Sequence, residues 1–96
     1  MYKYDEQRHH VFAPENQKMF LSIRDRAHKL IHQAGVARMD KIIEGETGVN
    51  WEMFASVDRL VELGEIHEID VSGIAVQYRM FTHLRIEKAR KELGNE

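Results

Sequence analysis

Histidine is the residue type with the most chemistry to offer here, since this chain of 96 residues holds six histidines and no cysteine. Asp25, His28 and His32 stand at spacings of three and four, so on a helix they project to one side, a pattern compatible with metal ligation. The pattern supplies no fourth ligand, and the polar residues around His28 and His32 suit a solvated surface, so no metal site and no cofactor is expected. His67 reads as a strand residue and His83 as a helix-start residue. There is no Gly-rich phosphate loop, no nucleophile with a base at recognisable spacing and no acid pair marked by a motif. The expectation is a protein that docks and does not catalyse.

Composition narrows the setting. A length of 96 residues with 43% hydrophobic content suits one domain with one core. The 14 basic and 16 acidic residues give a net charge of −2, so any footprint for nucleic acid must be local. No apolar run approaches the ~20 residues that span a bilayer, and the start, MYKYDEQRHH, lacks the apolar core of a signal peptide. A cytoplasmic protein is expected.

The elements that must position any docking residue follow from periodicity. Residues 1–13 are polar with no helical period and read as an N-terminal arm, in which His9 to Phe12 can add an edge strand to the hairpin or Lys3 and Arg8 can instead reach along a phosphate backbone. Pro14 marks a helix start, and Phe20, Ile23, Ala27, Leu30, Ile31 and Ala34 recur at helical spacing up to Gly35, a left-handed stop. Val36 is expected to be buried, and Arg38 to Glu44 to form a short helix with Met39, Ile42 and Ile43 inward. Asn50 then caps a long helix, with Val49 stapled onto Phe54 and Gly64 as its stop. Met53, Phe54, Val57, Leu60 and Val61 share its inner arc; Trp51, Glu52, Ala55, Asp58, Arg59 and Glu62 lie outside it and are expected to face solvent.

Residues 64–81 alternate in the strand manner, which predicts a hairpin turning near Ser72 and Gly73. Tyr78 and Phe81 cannot share a side of one regular strand, so one is expected at a bulge or an end. Thr82 is an N-cap for a last helix, His83 to Leu93, whose narrow stripe includes Ile86 and Leu93. Packing on the domain and homodimerisation through Ile86 and Leu93 both remain open.

The segment ARMDKIIEGETGVNWEMFASVDRLVELGEI resembles the helix-turn-helix of the winged-helix superfamily. The likeness rests on the short helix, on Gly48, Val49 and Asn50, and on a second helix ending in Leu60-Val61-Glu62-Leu63-Gly64. It covers Pro14 to Phe81 and implies an α+β, mainly helical domain: a three-helix core over residues 14–81, a β-hairpin wing and an extra C-terminal helix over 82–96. It further implies a regulator that binds double-stranded DNA, as in transcription regulation. Trp51, Ala55 and Arg59 would meet the groove floor, Asn50 would approach phosphate, and Arg38, Lys41 and Arg79 would sit on the backbone. Arg59 is the one side chain there able to make the bidentate contact to guanine.

Charge opposes that implication, because Glu52, Asp58 and Glu62 flank Arg59 and repel phosphate. The competing expectation is a protein-interaction module in which Trp51 and Arg59 anchor a partner protein.

Overall fold

The structure, a computed structural model, describes residues 1–71 and 73–84. It is a mainly helical α+β domain. The elements are α1 (Tyr4–Val11), a 3-10 turn (Pro14–Asn16), α2 (Gln17–Ala34), β1 (Val36–Arg38), α3 (Met39–Ile42), α4 (Asn50–Glu62), β2 (His67–Ile69), a second 3-10 turn (Val76–Tyr78) and β3 (Met80–Thr82). The strands form one antiparallel sheet in the order β1-β3-β2. Val36 pairs with Thr82 on one side of β3, and His67 pairs with the same Thr82 on the other. None of the described helices is long and apolar enough to cross a membrane.

The core forms where three helices and β3 converge. Ile23, Ala27 and Ile31 of α2 meet Met39 and Ile42 of α3, Met53, Phe54, Val57 and Leu60 of α4, and Ile66 and Phe81. The positions on α2, α3 and α4 were each expected inward, whereas Ile66 and Phe81 were placed only in a strand alternation; Ala34 proves exposed, and Met19, Phe20 and Leu30 pack at the core's margin. Both glycine stops hold. Gly35 (φ 83°) donates its N–H to the Ile31 carbonyl at 2.6 Å. At the end of α4, Gly64 (φ 77°) donates to Val61 at 3.0 Å and Glu65 donates to Leu60 at 2.9 Å, a pairing that satisfies orphan carbonyls. The Thr82 hydroxyl donates to the Gly35 carbonyl at 2.9 Å, fastening β3 to the end of α2.

Several expectations are corrected. Residues 4–11 are helical rather than an extended arm or an edge strand. Asp5 and Glu6 in the first turn and Arg8, His9 and His10 in the last suit the helix dipole, and Tyr4, Gln7, Arg8 and Val11 line one side. Val36 and Arg38 belong to β1, so the short helix starts at Met39, and Ala37, not Val36, is the buried residue of that strand. Asn50 is the first residue of α4 with Val49 at the cap position and no side-chain cap bond, and Val49 is 58% exposed, which leaves no staple on Phe54. The second half of the expected hairpin is a 3-10 turn at Val76–Tyr78, so only Met80–Thr82 pairs. That removes the conflict at Tyr78 and Phe81: Tyr78 is in the turn and exposed, while Phe81 is in β3 and fully buried. The expected helix from His83 to Leu93, with Ile86 and Leu93, lies almost wholly outside the described residues, as does Ser72.

Candidate interaction face

The side of α4 turned away from the core carries the residues that chemistry singles out, and α1 lies across it. Near the C-terminal end of α4, the Tyr4 hydroxyl donates to Glu62 at 2.8 Å and the Arg8 guanidinium donates to both Glu62 oxygens at 3.0 Å. At the other end, His10 Nδ1 stands 3.3 Å from a Glu52 oxygen. Before the helix begins, Tyr2 donates to Asp58 at 2.6 Å and sets its ring edge-on to Phe54, with centroids 5.4 Å apart. Beyond its end, the Phe12 ring lies between two cations, 4.9 Å from Arg8 and 5.0 Å from Arg59. Glu52, Asp58 and Glu62 therefore each have a partner in residues 2–10.

Electrostatics follow from these contacts. Hydrogen bonds from Arg8, then Arg59, then Tyr4 hold the Glu62 carboxyl down at about 2. Burial first, and then the hydrogen bond to Glu62, push the Tyr4 phenol up to about 12. Burial and the bond to Asp58 push Tyr2 up as well. Arg79 closes the same network from the sheet, donating to Asp58 and Glu68 at 2.7 Å each. Its hydrogen bonds to Glu68 and Asp58 outweigh burial and keep it protonated.

The residues expected to meet DNA are thus divided. Ala55 is fully buried at the seam and offers no surface. Arg59 is paired with Glu62 at 2.7 Å and covered by Phe12; Arg79 is committed to two carboxylates. Arg38, Lys41, Asn50 and Trp51 remain exposed. Arg38 grips Asp40 with two bonds of 2.7 and 2.9 Å and stands 5.3 Å from the Tyr78 ring, and Lys41 reaches Glu44 at 3.3 Å. Tyr2, Tyr4, Arg8, Val11 and Phe12 entered no sequence-based expectation for this face. The signal that could have found them is the run Tyr4, Gln7, Arg8, Val11 at helical spacing, complementary in charge to Glu52, Asp58 and Glu62.

His28 and His83 meet elsewhere. His28 stands 2.8 Å from Glu65 through Nε2 and 2.8 Å from His83 through Nδ1, with the two rings stacked. Burial, then His28, His32 and His67, lower the His83 pKa. Asp25 points to Arg24 instead, and among the described residues no three ligand-type side chains are placed to hold a metal ion. No protein-family model, curated protein or solved structure matches this chain.

Proposed function

We propose that the chain is a winged helix-turn-helix domain whose work is docking onto a partner protein. The fold part of this reading is supported by element order: a helix, a short helix, a turn, the long α4 and then an antiparallel strand pair. The observation that carries the functional part is the covered face of α4. A helix that reads a major groove must present its outer side, and here α1 pairs with Glu52 and Glu62 along it, Ala55 is buried, and Phe12 just beyond α1 stands over Arg59. The three carboxylates there are poor neighbours for phosphate and good ones for donors from a protein.

A second reading, a DNA-binding regulator, is favoured by the exposure of Arg38, Lys41, Asn50 and Trp51. One experiment separates the two. Trp51 is the only tryptophan and is 41% exposed, so its emission reports on this end of α4. Titration with mixed-sequence duplex DNA at low salt should leave that emission unchanged. A shift that reverses as salt is added would favour the DNA-binding reading instead, because phosphate contacts weaken steeply with salt.

A further inference from the structure

The outer face of α4 has a filled seat, and its occupant describes what the seat accepts. We propose that this face is a helix-docking groove for a partner protein, which α1 occupies as an internal placeholder. The partner supplies a helix with an aromatic residue, a basic residue and an apolar residue at i, i+4 and i+7. The inference rests on the protein-docking reading above.

Three features point to it. The groove is shaped for a helix, because Ala55 is a small floor between Glu52 and Glu62, so a second helix axis can approach closely. Its charge is selective: with α1 absent, Arg59 still pairs with Glu62 and Arg79 with Asp58, but three carboxylates beside two guanidiniums leave the face acidic, which favours a basic helix over a nucleic acid. Its present occupant is displaceable. An eight-residue helix is marginal alone, and its pair to Glu62 is 44% exposed on the Arg8 side and 35% on the other, the class of contact that contributes little. Only Val11 of α1 is buried. What keeps α1 in place is in good part its tether through Phe12, Ala13 and Pro14, an advantage in effective concentration that a tighter external helix can overcome.

The test uses a labelled peptide of residues 1–13 as the incoming helix and reads its anisotropy against three full-length chains. In the wild-type chain α1 fills the groove. In Arg8→Glu a repulsive pair with Glu62 opens it, and in Tyr2→Phe/Tyr4→Phe two donors are lost with no change in net charge. Both variants should bind the peptide about tenfold tighter than wild type, since apparent affinity scales with the open fraction. A peptide carrying Arg8→Glu should lose that gain.

Indifference of both opened chains to the peptide, and to DNA, would overturn the groove and leave the protein-docking reading standing. Salt-reversible binding of the opened chains to duplex DNA would overturn both. Dimers of the opened chains at the same concentration would overturn the partner assignment, because the occupant would then be α1 of a second copy.

Discussion

The two long sides of α4 are both covered, and by opposite means. The inner side presents Met53, Phe54, Val57 and Leu60, each at most 7% exposed, to a core whose attraction is non-directional and scales with apolar area. The outer side carries Glu52, Asp58, Arg59 and Glu62, and is held by named donors at fixed distances from α1, Tyr2 and Arg79. An amphipathic pattern therefore locates the apolar contact of a helix and leaves open whether water or another polar helix covers the rest. The inner contact should be strong and indispensable to folding; the outer one should be weak, separable and selective.

The largest expected effect lies on the inner side. Leu60→Ala empties a fully buried position and should cost about 2–5 kcal/mol in chemical denaturation. A loss under about 1 kcal/mol would mean that the inner side is not the stronger of the two. Next comes Arg79, a partner of the outer side with 17% side-chain exposure. Arg79→Ala removes the cation between Asp58 and Glu68, leaving Asp58 only its bond from Tyr2, and should cost about 3 kcal/mol, the low end for breaking a largely buried pair. Arg79→Lys should recover only part, since an ammonium cannot reproduce the forked contact to two carboxylates. Full recovery would show that charge alone, without geometry, joins α4 to the sheet.

The inner side was legible in the sequence because its signals are local. The apolar spacing of α2 and α4 and the positive-φ glycines at 35 and 64 are each decided within a few residues. The outer side was not, because its cause is distant: Tyr2 meets Asp58 and Tyr4 meets Glu62 across most of the chain. The acidic residues of α4 looked like a poor ligand surface; they are one half of an internal seam. The three-residue strands were missed or overdrawn for the same reason. β1 exists because β3 pairs with it, and the alternation through Val76–Tyr78 yields to a 3-10 turn that packs against α3.

A smaller effect should appear at the seam's floor. Ala55→Leu adds volume where α1 rests and should cost about 1 kcal/mol by overpacking, with the loss confined to α1. Amide hydrogen exchange reads this directly, because α1 should lose protection while the core of α2 keeps its own. Equal loss in both would show that the seam and the core unfold as one unit, and the contrast between the two sides of α4 would disappear.

The finest separation is by pH, because the seam titrates and the apolar core does not. Glu62 is depressed from 4.5 to about 2, so its contribution is complete above pH 4.5 and is lost as pH falls through about 2. Tyr4 is raised from 10.0 to about 12, so its contribution is complete below pH 10 and is lost as pH rises through about 12. The groups that face Glu62 are Arg8, Arg59 and Tyr4, none of which changes charge between pH 5 and pH 2, so the acid phase belongs to the carboxyl. The part of α1's exchange protection that the contact of Tyr4 and Arg8 with Glu62 supplies should therefore be flat between about pH 5 and 10 and decline at both ends, after correction for intrinsic exchange rates. Glu62→Gln should remove the acid decline and Tyr4→Phe the alkaline one. Declines that persist unchanged in both variants would place the weak point of the seam outside the contact of Tyr4 and Arg8 with Glu62.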